Sequence, residues 1–325
     1  MAVYLKCVEM KKRFCFFVFS MILGCLSVCA KNTALLIGIG NYNTKSSGWS
    51  IIHGNNDVAL LEAKLKANGF SVSNLVDHKA TKSNIKIALS NLAKTADSGD
   101  VIYLHFSGHG QLFTDLNGDE KEGVDQSFVC YDACFSPKYK ISGKSYRGQN
   151  HFIDDELFPY LNKLKQKVGK NGNVIVIFDT CYSGGADRGS MGDDPDPESE
   201  VDWVNDTRGD DVEFDADSYA NAYLKKLKAP GQYTSGYGSI TIISACESDK
   251  KNYECRDKRS GRKYGSLSFC LGKMLDKKIP FDQWADYFRN QKYKSSTSST
   301  CKKCCKERFS SISWCKKGVV NCVSN

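Results

Sequence analysis

The chain of 325 residues carries a formal net charge of +8, 41% hydrophobic residues and 15 cysteines. That length can bury a full α/β core with room for insertions. The charge is uneven, acidic over 193–217 and Lys-rich near the end. No nucleic-acid module accompanies it, so the basic excess reads as solvated surface and no nucleic-acid partner is expected.

Residues 1–30 read as a signal peptide. Lys11-Lys12-Arg13 is a basic n-region, Phe14 to Val28 is an apolar h-region, and Val28-Cys29-Ala30 resembles a cleavage site. The apolar run is short for a membrane span. Export from a bacterial cytoplasm is therefore expected, to a periplasmic or secreted location. Lipid attachment at Cys25, in Ile22-Leu23-Gly24-Cys25, is the alternative.

Beyond that segment, short β-branched runs alternate with amphipathic stretches. Strands are expected at 33–39, 70–76, 101–106, 127–131, 174–178 and 240–244, and helices at 57–68, 82–94, 155–168, 267–275 and 281–290. The alternation predicts an α/β fold, with a mainly parallel central sheet and helices on both faces. Residues 186–237 are rich in Asp, Gly, Pro and Ser and read as a long acidic surface loop. Residues 31–292 are then one domain, and 293–325 form a basic, Cys-rich tail. In an oxidising compartment the tail cysteines suggest disulfides, with zinc at Cys301-x-x-Cys304 as the alternative. Cys130, Cys246 and Cys270 read as buried thiols.

Two strand ends carry the chemistry. Val101-Ile102-Tyr103-Leu104 runs into His105-Phe106-Ser107-Gly108-His109-Gly110-Gln111. Val174-Ile175-Val176-Ile177-Phe178 runs into Asp179-Thr180-Cys181-Tyr182-Ser183-Gly184-Gly185. Ligands of open α/β sheets bind at the carboxyl ends of parallel strands. A free thiol is mostly protonated at neutral pH, and a neighbouring imidazole can take its proton and return one to a leaving amine. His109 and Cys181 are the candidate dyad. The N–H groups of Gly110 and Cys181 are the candidate oxyanion donors. The absence of a Cys-x-x-Cys pair at the strand end disfavours a thiol oxidoreductase.

These two segments resemble the signatures of caspase-like cysteine peptidases (peptidase family C14), and among them those of bacterial metacaspases. The order His then Cys agrees, although the gap exceeds the ~50 residues of caspases. The resemblance implies a caspase-like sandwich and a cysteine endopeptidase, whose expected partner is a protein or peptide substrate; a monomer is expected. Asp179 then stands where caspases carry Gln, in the primary specificity pocket, and Asp57 matches a second acidic pocket residue. Two carboxylates imply cleavage after Arg or Lys. For Asp57 a helix N-terminal cap is the competing reading. The resemblance also implies calcium ligands at Asp125, Asp154, Asp155 and Asp187, while Asp154 and Asp155 could instead serve the helix N-terminus. Asp115 to Gln126 begins like an EF-hand loop but has Glu120 for the turn glycine and Gln126 for the bidentate glutamate, so an EF-hand is not expected. Gly38-Ile39-Gly40 lacks the third glycine of a dinucleotide fingerprint, and no organic cofactor is expected. His105 reads as structural, and His53, His78 and His151 as surface residues. Self-cleavage in the acidic loop, at Arg188 or Arg208, is a further expectation. A catalytically silent caspase-like binding module is the alternative function.

Overall fold

The computed structural model describes residues 30–120, 123–181, 200–209, 212–215, 237–245, 252–284 and 312–315. The signal-peptide segment, Cys25, Asp187, Arg188, Cys246 and the Cys301/Cys304 pair lie outside the described residues.

The chain begins with β1 (Asn32–Gly38), α1 (Gly54–Ala67), β2 (Ser71–Val76), α2 (Lys82–Thr95) and β3 (Val101–Ser107). A small antiparallel sheet follows, made of β4 (Gly110–Thr114), β5 (Val124–Val129) and β6 (His151–Ile153). Next come α3 (Asp154–Val168), β7 (Asn173–Asp179), β8 (Val201–Thr207), β9 (Ser239–Ser244), β10 (Tyr253–Asp257), β11 (Lys263–Gly265), α4 (Ser266–Asp276) and β12 (Ile312–Cys315). The central sheet has the order β12-β9-β7-β3-β1-β2, parallel except for β12, which pairs antiparallel to β9.

Alternation along the strands divides the core. Leu35 and Ile37 of β1 face a cluster with Ile85, Leu89, Leu157, Leu161 and Leu164 of α2 and α3. Ala34 and Leu36 face the other, with Val58, Leu61 and Leu65 of α1 and Leu267, Leu271 and Met274 of α4. Both faces are thus helix-covered, which explains why the strands read as continuous apolar runs. Thr81 caps α2 by accepting from Asn84 N, and Asp154, Asp155 and Glu156 in the first turn of α3 complement its dipole.

Several expectations are corrected. The stretch read as a loop over 186–237 contributes β8, which pairs antiparallel with β10 in a sheet completed by β11. Val201, Arg208 and Phe214 within it are buried. The tail supplies the edge strand β12. Strands β4, β10 and β11 had no clear apolar alternation and were not expected. His151 is buried rather than on the surface, bonded to the Tyr146 hydroxyl at 2.7 Å and to Gln111 Oε1 at 2.8 Å. His105 is indeed structural: it is buried, with Nε2 3.1 Å from Ser268 Oγ.

Candidate active site

Strands β3 and β7 pair in parallel with Ser107 opposite Asp179. His109 and Cys181 each lie two residues beyond that rung, so the register sets the two side by side at the carboxyl edge of the sheet. Both are buried, at 2% and 0% exposure. The His109 ring stacks on Trp49, with centroids 4.9 Å apart, and packs against Tyr42 at 5.1 Å. Its Nε2 is 3.0 Å from the Ser50 carbonyl and 3.3 Å from the Ser50 hydroxyl. Its Nδ1 is buried and makes no hydrogen bond among the described residues. A ring that donates from Nε2 to a carbonyl carries its lone pair on Nδ1. Burial pushes its pKa down to about 4, against the opposing pull of the Ser50 carbonyl, so the imidazole is neutral at pH 7.

A second group of side chains lies on the same edge. Asp57 sits in the first turn of α1 but does not cap it: the N-cap position is His53. Its Oδ1 accepts from Gly265 N at 3.0 Å and its Oδ2 from Ser107 Oγ at 2.6 Å. Asp179 accepts from Ser268 N at 2.7 Å, Ser268 Oγ at 2.5 Å and Asn252 Nδ2 at 2.7 Å. Between these carboxylates lies the fully buried guanidinium of Arg208. Its Nη2 is 2.8 Å from Asp57 Oδ2 and 2.8 Å from Glu254 Oε1. Its Nη1 donates to Ser107 Oγ at 2.6 Å and to the Asp179 carbonyl at 3.2 Å.

Burial of so many charges is costly unless they are paired and hydrogen-bonded, as they are here. Burial pushes the Asp57 carboxyl up to about 7, reinforced by Asp179 and Glu254 and opposed by Arg208 and Ser107. Burial acts upward on Glu254 too, but Arg208 and His53 overcome it and hold the carboxyl at about 2. Burial would lower the Arg208 pKa, but the three carboxylates drive it above its ordinary value.

The Arg208 backbone is held as firmly as its side chain. Its N–H donates to the Asn252 carbonyl at 3.1 Å, and its carbonyl accepts from Gly110 N at 3.0 Å. Gly209 pairs with Gly110 and passes so close to Cys181 that a Cβ there would collide with the Cys181 carbonyl and stand 2.9 Å from Cys181 Cβ. Downstream, Phe214 stacks on Phe113 at 5.4 Å, and its N–H bonds the Leu112 carbonyl at 2.8 Å. Arg208, Gly209 and Phe214 thus each lie beside β4.

A third group lies on the loop between β4 and β5 and at the start of α3. Asp115, Asp119 and Asp125 bring carboxylate oxygens within 4.8 Å of one another. Asn117 Nδ2 bonds Asp155 Oδ2, tying the loop to α3. Asp125 and Asp155 are buried, and each has an oxygen with no hydrogen-bond partner among the described residues. Burial, then mutual repulsion, pushes Asp125 and Asp154 up to about 8 and Asp155 to about 6. Orphaned buried oxygens amid like charges are what a hard cation with oxygen ligands would satisfy, so the donor set fits calcium. Of the expected ligands, Asp125, Asp154 and Asp155 gather here. Asp115 and Asp119 join them from the loop set aside as an incomplete EF-hand.

Sequence reading missed Trp49, Ser50, Ser107, Asn252, Glu254, Gly265 and Ser268. Of these only Ser107, within the His109 segment, stood near a recognisable signal.

Fold and site together define a caspase-like α/β domain with a thiol and an imidazole on adjacent strand ends. The caspase domain family matches residues 31–316, and the chain belongs to that family. Metacaspase-1A of Aspergillus niger is 33% identical over 166 residues, 48% of this chain and 36% of that protein. Metacaspase-1B of Aspergillus fumigatus is 37% identical over 106 residues, 33% of this chain and 22% of that protein. The matches thus span about a third or less of these relatives' length. A crystal structure of protein GSU0716 from Geobacter sulfurreducens superposes with a TM-score of 0.51 at 21% identity, covering 77% of this chain and 83% of that one; it shares the fold.

Proposed function

We propose that the protein is a cysteine endopeptidase that cuts after a basic residue, and that its first substrate is its own Arg208–Gly209 bond. One observation carries this reading: Arg208 fills an acidic pocket while its carbonyl oxygen meets Gly110 N–H and Gly209 lies against Cys181. These contacts support the reading because proximity catalysis needs side chain, carbonyl and reacting bond held together.

The chemistry follows from the groups present. His109 Nδ1 takes the Cys181 thiol proton, and the thiolate attacks the Arg208 carbonyl carbon. The oxyanion is stabilised by Gly110 N–H. The C–N bond breaks, His109 returns its proton to the Gly209 amine, and water hydrolyses the thioester to restore the thiol. Asp57 and Asp179 select the basic side chain by charge. Calcium, when bound by Asp115, Asp119, Asp125, Asp154 and Asp155, would neutralise their repulsion and fix the loop that continues β4, the strand carrying Gly110. Export after removal of residues 1–30 is the accompanying reading, supported by the apolar h-region.

The test is hydrolysis of matched peptides ending in Arg, Lys or Asp before a fluorogenic leaving group, with calcium or chelator, beside Cys181→Ala and with intact mass of the chain. Cleavage after basic residues that needs Cys181, with a new chain end at Arg208, supports the proposal. Cleavage after Asp would overturn the pocket. A folded, reduced protein that cuts nothing and stays intact would be a silent binding module instead.

A further inference from the structure

We infer that Glu254 is a third specificity carboxylate and makes the pocket discriminate arginine from lysine. The inference rests on the peptidase reading above and adds a residue and a narrower substrate class to it.

Glu254 lies on β10, opposite Gly265 of β11, and so forms part of the pocket wall on a hairpin remote in sequence from Asp57 and Asp179. It is fully buried. His53 holds it from behind: its N–H donates to Glu254 Oε1 at 2.8 Å, and its Nδ1 lies 2.5 Å from Oε2. The carboxylate is thus oriented by its own surroundings, and it keeps its charge across the neutral range.

The contacts of Arg208 show how the selection works. One terminal nitrogen, Nη2, bridges Glu254 and Asp57, both at 2.8 Å, while the other, Nη1, reaches Ser107 Oγ and the Asp179 carbonyl. The two sets of acceptors lie on opposite tines of the guanidinium fork. A lysine side chain places its single nitrogen at the position of the arginine Cζ, one bond short of either tine. It can approach Asp57 and Asp179 as a point charge, but cannot meet Glu254 and Ser107 together. Glu254 would then keep a buried charge with its pocket-side oxygen poorly matched, a penalty that falls on lysine alone. Sites built to hydrogen-bond a particular group reject analogues lacking it far more strongly than apolar pockets do.

The experiment uses the full chain after incubation with calcium, and compares kcat/KM for matched peptides ending in Arg and Lys. Wild type should prefer Arg by more than about tenfold. Glu254→Gln, which keeps the shape and loses the charge, should lower Arg cleavage by roughly a hundredfold while leaving Lys cleavage within about threefold. A purely structural role would depress both substrates equally. A second measurement needs no change in the pocket wall: Arg208→Lys should clip itself at least about tenfold more slowly than wild type, read by intact mass. Equal cutting of Arg and Lys peptides by wild type, or an unchanged ratio in Glu254→Gln, overturns the role of Glu254 and leaves the peptidase standing. A wild type that cuts neither overturns both.

Discussion

Ser50 and His109 meet through backbone and ring: the carbonyl of the first accepts from Nε2 of the second at 3.0 Å. That bond fixes which ring nitrogen is free to act as base. Because the acceptor is main chain, Ser50→Ala should change kcat/KM by less than about threefold, whereas His109→Ala should lose about a thousandfold or more. A large loss in Ser50→Ala would show that the hydroxyl, 3.3 Å from the same nitrogen, orients the ring instead.

Gly265 leaves no room for a methyl group beside Asp179 and Arg208. Its backbone, at φ −62°, tolerates any residue, but a Cβ there would collide with Asp179 Oδ2 and stand 2.6 Å from Arg208 Cζ. Gly265→Ala should therefore leave a folded protein whose cleavage after basic residues falls by roughly a hundredfold, through KM in particular. Peptide kinetics beside thermal melting would separate this from unfolding. Undiminished activity would place the basic side chain elsewhere.

The loop and helix carboxylates predict opposite stability effects with and without a cation. Calcium at about a hundred times its Kd should stabilise the fold by about 2.7 kcal/mol, a rise of roughly five degrees or more in Tm. Asp125→Asn removes an acid whose ionised form is disfavoured by burial and by Asp154 and Asp155, so it should melt higher than wild type in chelator and gain little from calcium. Identical calcium shifts in the two proteins would exclude Asp125 as a ligand.

His151 gives a pH test that uses none of the proposed reacting groups. Burial, aided by Lys82, lowers its pKa from 6.5 to about 3. The unfolded chain thus binds this proton first as pH falls, and native stability drains away from pH 6.5 down to about 3. His151→Gln carries no such proton. Between pH 7 and 5 its stability relative to wild type should improve by about 2 kcal/mol, measured by urea unfolding. A constant difference across that range would mean that His151 is solvated or already charged in the native state.

The sheet was legible because its strands are buried on both faces and therefore read as apolar runs, Val101–Leu104 and Val174–Phe178 most clearly. The positions of His109 and Cys181 at adjacent strand ends were legible because both follow those runs directly. The other wall of the pocket was not. Glu254 and Gly265 lie on a short hairpin with polar residues on its open side, and their role arises only when β10 and β11 fold over the sheet edge. The acidic segment misled for a related reason. Its composition matches a solvated loop, yet Val201, Arg208 and Phe214 are anchored one by one in sites made by other elements, and no local periodicity announces that. His151 looked like a surface residue because its partners, Tyr146 and Gln111, are joined to it through a turn and a neighbouring strand.

The proposed cleavage at Arg208 also implies an order of events in time. A residue tethered beside its own pocket competes at an effective concentration in the millimolar range, whatever the abundance of the protein. Free peptides at micromolar levels would remain outvoted until the tether is cut. Activation by the proposed cleavage would be a unimolecular clock: its half-time should be the same in dilute and concentrated samples, and neither crowding molecules together nor thinning them out would set it running.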